Sequence, residues 1–220
     1  MAHHPSDEYL MDYAAGSASH SVDLLVATHL ALCPECRDKV AAYEHLGGAL
    51  LDSASPSAIA PDALSAMMAR LDEPMPSEQT PASDSPRFDA RTLHMIPEPL
   101  RSHLAGNLDD LKWSSLTRGI DQIELKVGLK GEKTRFYRIR GGQSVPQHTH
   151  AGNELTLVLA GSFSDSTGRY ARGDVAIADG DLDHQPVADL GEDCYCLAVT
   201  DAPLRLTGPV GRFLNLFMRY

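Results

Sequence analysis

The stretch GQSVPQHTHAGNELTLVLAG, residues 142–161, decides the fold. It sets Gly142, His148, His150, Glu154 and Gly161 in the order G-x5-H-x-H-x3-E-x6-G. In an extended chain alternate side chains share a face, so His148 and His150 point the same way. Glu154 opens the apolar run Glu154 to Ala160 and can face inward from the adjoining strand. Two imidazoles and a carboxylate brought together by paired strands form a metal-ligand pattern, and the flanking glycines supply turns. Comparable short runs extend from Gln122 to Val127, Thr134 to Arg140, Leu155 to Leu159, Val175 to Ala178 and Cys194 to Val199. Gly128, Gly141 with Gly142, Gly161 and Gly191 separate them, a pattern that predicts an all-β sandwich or barrel.

The spacing of residues 142–161 matches the first signature of the cupin superfamily at every position, so this part of the chain resembles a cupin barrel. The second signature is partial. Gly173-Asp174 and Gly180 precede His184, but Ala178 stands where proline is usual, the gap to the histidine is longer by one residue, and the downstream asparagine is absent. His184 is the natural fourth ligand. Three histidines and one glutamate suit zinc, manganese or iron.

Upstream, the apolar spacing becomes helical. Ser6 followed by Asp7 and Glu8 predicts a cap with acids in the first turn, and Leu10, Met11 and Tyr13 to Ala15 give a short helix an apolar side before Gly16. A second helix is expected from Ser21 to Leu32, placing Leu25, His29 and Leu32 on neighbouring turns. Pro34 suits the first position of a third helix reaching Leu46, with Gly47 and Gly48 ending or bending it. The run Pro61 to Leu71, with Ala63, Leu64, Met67, Met68 and Leu71, makes a fourth, amphipathic helix.

This helical part carries its own ligand pattern, His29-x3-Cys33-x2-Cys36. His29 and Cys33, four apart, project from one helix face, and Cys36 follows one turn on, across Pro34. A helix N-terminus lowers thiol pKa and so favours the thiolates that zinc requires. A closed tetrahedral site needs a fourth donor, and His4 or His3, just ahead of the first helix, is the candidate. A redox role for Cys33 and Cys36 would sit more naturally on a βαβ unit.

Residues 73–91 are rich in Pro and Ser with little apolar periodicity and read as a linker, dividing the chain into domains 1–72 and 92–220. The formal net charge of −11 is uneven, residues 1–75 holding 11 Asp or Glu against 3 Lys or Arg. Direct nucleic-acid binding is therefore not expected, whereas a basic protein partner fits. No apolar run approaches the ~20 residues of a membrane span, and the first residues lack a secretory core, so no membrane association and a cytoplasmic location are expected. In that compartment the four cysteines point to ligands or redox groups instead of a disulfide framework. Cys194 and Cys196, two apart on a strand, share a face and read as core residues, an oxidant-sensitive role beside the barrel metal being the alternative.

Taken together, HHPSDEYLMDYAAG at 3–16, VATHLALCPECRDKV at 26–40, HTHAGNELTLVLAGSF at 148–163 and DCYCLAVTDAPLR at 193–205 resemble the ChrR family of zinc-binding anti-sigma factors over nearly the whole chain. The resemblance implies two domains, a zinc-binding four-helix anti-sigma domain followed by a cupin β-barrel. It implies zinc held by His4, His29, Cys33 and Cys36, and a second metal, zinc or else manganese or iron, held by His148, His150, Glu154 and His184. It further implies that the helices sequester an extracytoplasmic-function sigma factor and release it on an oxidative signal, such as singlet oxygen, sensed through the barrel. No catalysis is expected. The alternative is a cupin metalloenzyme of the dioxygenase kind with a regulatory helical appendage, against which stands the lack of a separate acid-base constellation.

Overall fold

The structure, a computed structural model, describes residues 1–71, 73, 88–128 and 131–207. Four helices come first: α1 (Asp7–Ala15), α2 (His20–Leu30), α3 (Pro34–Ser53) and α4 (Ala63–Leu71). Two short ones follow, α5 (Ala90–Met95) and α6 (Glu98–Arg101). The strands are β1 (Ser114–Thr117), β2 (Ile120–Leu125), β3 (Lys133–Ile139), β4 (His148–His150), β5 (Glu154–Ala160), β6 (Ser162–Ser164), β7 (Arg169–Ala171), β8 (Val175–Ala178), β9 (Val187–Ala188), β10 (Cys194–Thr200) and β11 (Leu204–Leu206). They form a six-stranded sheet in the order β1-β2-β3-β10-β5-β8, with smaller sheets β11-β4 and β7-β6-β9. Every pairing is antiparallel. The expected division into N-terminal helices and a C-terminal antiparallel cupin-type barrel is the one observed.

Local chemistry sets most boundaries. Gly16 closes α1 at φ 66°, donating its N–H back to Tyr13. Ser6 has the extended backbone of an N-cap, but its hydroxyl makes no capping bond. Gly47 and Gly48 do not stop α3, which continues to Ser53. Neither takes a positive φ, and a glycine inside a helix costs only about 1 kcal/mol relative to alanine. The Asp89 carboxylate accepts from the Thr92 N–H at 2.7 Å and starts α5 at Ala90, inside the segment read as linker. Residues 74–87 of that segment lie outside the described residues, as do residue 72 of the expected helical domain and residues 129–130 and 208–220 of the expected barrel domain. Gly161, which ends the deciding stretch, has φ +66°, and a Cβ there would lie 2.5 Å from the Asp193 carbonyl oxygen, so no larger residue fits.

The central strands explain why the chain does not separate into two independent bodies. Every residue of β10 is buried. One face of the sheet, with Ile139, Val158, Cys194 and Cys196, looks into the barrel. The other, with Leu155, Leu157, Leu159, Leu197 and Val199, forms one core with Leu24 and Leu25 of α2, with Ile96 just after α5 and with Leu100 of α6. Strands covered on both sides read as unbroken apolar runs, which is how ELTLVLA and CYCLAVT are composed. The opposite side of α2 presents Val26 and Leu30 to Leu10 of α1 and to Cys36 and Val40 of α3. The second helix is thus shared between two cores.

Replacing Leu25, fully buried at this junction, by alanine should cost about 2–5 kcal/mol. Urea unfolding followed by helical circular dichroism and by fluorescence of Trp113, which packs against Phe136, should show both transitions moving together. A shift confined to the helical signal would mean that the junction carries no cooperativity.

Candidate metal centres

One cluster lies where the helices meet the barrel. His4, His29, Cys33 and Cys36 each offer a donor atom, and these atoms all lie within 4.8 Å of one another. Cys33 occupies the N-cap of α3 and Cys36 its first turn, with Pro34 between them fixing the helix start. The Nδ1 of His4 stands 3.4 Å from the Cys33 Sγ and 3.3 Å from the Cys36 Sγ. Residues 2–4 run along the barrel edge: the Val175 N–H donates to the His3 carbonyl at 3.1 Å. The His3 ring rests on Tyr170, with centroids 4.5 Å apart. Of the two histidines left open by the sequence, His4 reaches the thiols and His3 does not.

His29 sets the chemistry of this cluster. Its Nδ1 lies 2.9 Å from the carbonyl oxygen of Gly173. A carbonyl only accepts, so Nδ1 carries the proton and Nε2 offers a lone pair. That Nε2 is buried without a hydrogen-bond partner among the described residues. Burial lowers the imidazole pKa to about 4, which keeps the ring neutral at physiological pH. The Cys36 thiol, by contrast, is pushed up to about 12 by burial and by the hydrogen-bonded Cys33. The lowering expected from the helix N-terminus is outweighed, because two adjacent buried thiols cannot both ionise without a compensating positive charge. An orphaned imidazole nitrogen aimed at two such thiols fits a divalent cation, and two sulfurs with two imidazoles suit zinc.

The second cluster lies inside the barrel. His148 and His150 of β4 and His184, bridged to His148 by backbone hydrogen bonds of 3.0 Å in both directions, place their donor atoms together. The His184 Nε2 lies 3.2 Å from the Nε2 of both His148 and His150. The Nδ1 of His148 donates to the Pro146 carbonyl at 2.7 Å, and that of His184 to the Asp165 carboxylate at 2.8 Å. With those protons so placed, two bare lone pairs face each other. Such lone pairs repel unless a cation lies between them, and nitrogens around a tetrahedral zinc ion are separated by about 3.3 Å. Burial and the two other rings lower the pKa of His150 to about 4. Burial likewise lowers that of His148.

Glu154 stands outside this cluster. Its Oε2 is 3.7 Å from the His150 Nδ1, a nitrogen turned away from the other two rings, and its Oε1 accepts from the Thr156 hydroxyl at 3.1 Å. Burial pushes its carboxyl pKa up. The sequence expects four ligands to converge, and the structure brings three together. With His148 and His184, Glu154 lines a cavity of about 90 Å³, whose apolar wall includes Phe163 and Cys196. A hydrogen bond with Cys194, then burial, raises the Cys196 thiol pKa well above its ordinary value.

Two carboxylates escaped the sequence reading. Burial would raise the pKa of Asp165, but hydrogen bonds from Thr167 and His184 outweigh it and hold the carboxyl below its ordinary range. Asp165 fixes the tautomer and orientation of His184, as partners behind metal-ligating histidines do. Asp174 accepts the backbone N–H groups of Ala2 at 2.8 Å and His3 at 3.1 Å, holding the segment that carries His4. Its place beside Gly173 in the second signature was visible, its grip on the other end of the chain was not.

A helical module with a thiol and imidazole cluster is set against a cupin-type barrel with an imidazole cluster, and each group of donors could hold a metal ion. A family model described as ChrR Cupin-like domain matches residues 101–203. The chain is 44% identical over 218 residues to the anti-sigma-E factor ChrR of Cereibacter sphaeroides, an alignment covering 99% of this chain and 98% of that one. It is also similar to a chain in the crystal structure of Rhodobacter sphaeroides SigE in complex with the anti-sigma ChrR. The TM-score is 0.77 at 42% identity, covering 91% of this chain and 100% of the other. The chain belongs to the ChrR family of anti-sigma factors.

Asp165→Asn should weaken metal binding at the barrel cluster by about 10–100-fold, the usual effect of losing a partner behind a ligating histidine. Competition against a chromophoric chelator would measure it, and the helical cluster should keep its affinity.

Proposed function

We propose that this chain is a cytoplasmic anti-sigma factor that sequesters an extracytoplasmic-function sigma factor through its helical part. The observation carrying the proposal is an apolar surface that no part of the described chain covers. Leu46, Leu50 and Leu51 on α3 and Leu64, Met67 and Met68 on α4 are 55–75% exposed, and no residue of α4 is buried. Exposed apolar side chains clustered along a helix mark a candidate protein interface. The acidic balance of residues 1–75, 11 acidic against 3 basic, favours a basic partner over nucleic acid. The relative's crystallised complex with SigE supports a sigma factor as that partner. Among the described residues no helix is long and apolar enough to cross a membrane.

Within this reading His4, His29, Cys33 and Cys36 hold zinc, which cross-links the segment ahead of α1, α2 and α3 in a module whose own core is small. His148, His150 and His184 hold a second ion, zinc or else manganese or iron, with Glu154 as the fourth donor after a side-chain rotation. An oxidative signal such as singlet oxygen acts on the barrel site and weakens the grip of the helices. The cavity beside the histidines favours a second reading, a metalloenzyme of the dioxygenase kind, and turnover of a small organic substrate by the metal-loaded chain would establish it.

Capture of the tagged chain from its host under reducing, metal-replete conditions should recover a near-stoichiometric sigma factor. Leu64→Asp or Met67→Asp should each weaken that complex by about 30-fold or more while leaving helicity and metal content unchanged. Cys33→Ser should lower metal content by one ion per chain and abolish capture. Full capture by all three variants would remove the proposal.

A further inference from the structure

Three consecutive barrel residues bond to one donor of the helical cluster, His29, and to the two residues immediately ahead of another, His4. The Gly173 carbonyl accepts from the His29 ring. The Asp174 Oδ1 accepts the N–H groups of Ala2 and His3, while its Oδ2 accepts from the Ala171 N–H at 3.0 Å within the barrel's own turn. The Val175 N–H donates to the His3 carbonyl, so residues 2 and 3 are held from both sides immediately ahead of His4. One carboxylate oxygen thus shapes the turn and the other reaches out to the strap. Asp174 is buried, and its bonds to the strap are partly sheltered from water. Gly173 has φ +91°, and a Cβ there would lie 2.5 Å from the Met1 Cε, where the strap crosses the turn. Cys33 and Cys36, the other two donors, are held within the helical module, at the start of α3 and in its core with α1 and α2.

We infer that Asp174 and the Gly173 carbonyl form a positioning pair for the helical metal site, so that docking on the barrel sets how tightly the helices hold their ion. The inference rests on reading His4, His29, Cys33 and Cys36 as ligands. The turn is anchored to β5 by the Gly173 N–H bond to Val158 at 2.8 Å and the Val158 N–H bond to Asp174 at 3.0 Å. That anchor continues the β5–β8 ladder, whose far end pairs Glu154 with Ala178. The turn that holds the helical donors and the carboxylate beside the barrel histidines therefore belong to one hydrogen-bonded ladder.

The test uses full-length chain loaded with cobalt in a Cys196→Ser background, which removes the thiol lining the barrel cavity, so that sulfur-to-cobalt absorption reports the helical cluster. Two variants approach the contact from opposite sides. Asp174→Asn replaces an acceptor oxygen by a donor group, and Ala2→Pro removes a strap N–H without altering any barrel residue. Each should lower cobalt affinity at the thiol site by about 10–100-fold and shift its absorption bands, with occupancy of the barrel histidines unchanged. Affinity within about twofold of the Cys196→Ser parent in both variants would overturn the inference, since losses outside the ligand shell exceed that. If Asp174→Asn empties both sites, the barrel turn has been disrupted and Ala2→Pro decides alone: loss supports the inference, retention overturns it. A Cys196→Ser parent without sulfur-to-cobalt bands would overturn the ligand reading and this inference with it.

Discussion

Everything in this structure depends on burying α2 on two sides at once. Its outer face completes the core over the six-stranded sheet through Leu24 and Leu25. Its inner face completes the helical core through Val26 and Leu30. Apolar burial is worth about 25 cal/mol per Å² and has no direction, so it explains why the modules adhere but not their register. Register comes from polar contacts at the same junction. The Ser21 hydroxyl donates to the Val127 carbonyl at 3.2 Å, and His29 donates to Gly173. A buried hydrogen bond that is lost costs more than one formed contributes, so these contacts select one docking geometry from the many that hydrophobic adhesion would allow.

The two clusters are built on different electrostatic terms. Two thiolates balance the charge of a divalent cation, so the helical site can be neutral when filled and suits the dry position it occupies between modules. The three imidazoles of the barrel carry no compensating charge, leaving a filled site cationic beside a cavity and beside Glu154. The first arrangement suits a structural cross-link and the second a site that can take up a further oxygen donor. The first arrangement also accounts for a polar atom in otherwise unfavourable surroundings, His29 Nε2, which is buried without a hydrogen-bond partner among the described residues.

Much of this was legible in the chain itself. Short runs set off by glycine-containing turns located β2, β3, β5, β8 and β10 to within a few residues, and the spacing from Gly142 to Gly161 located His148 and His150. Cap and proline signals located the first three helices. Three features were harder to read. The end of α3 was misplaced because a glycine is a weak stop without a left-handed turn. Docking of the helices was overlooked, although the unbroken apolar strands from Leu155 to Leu159 and from Cys194 to Val199 carried its signature, since a sheet wet on one side would alternate. Asp165 and Asp174 act through bonds to partners 19 and 171 or more residues away, and no local pattern encodes such pairings.

The contact between Asp174 and the strap also bears on how this junction can change over generations. The carboxylate recognises main-chain amides, which every residue except proline possesses. Positions 2 and 3 can therefore drift in side-chain chemistry without releasing the hold, while the barrel side admits little beyond a carboxylate at 174. An interface of this kind leaves an asymmetric record, strict on one partner and permissive on the other. Comparison of side chains alone would class the beginning of the chain as unconstrained, although its backbone holds the two modules in register.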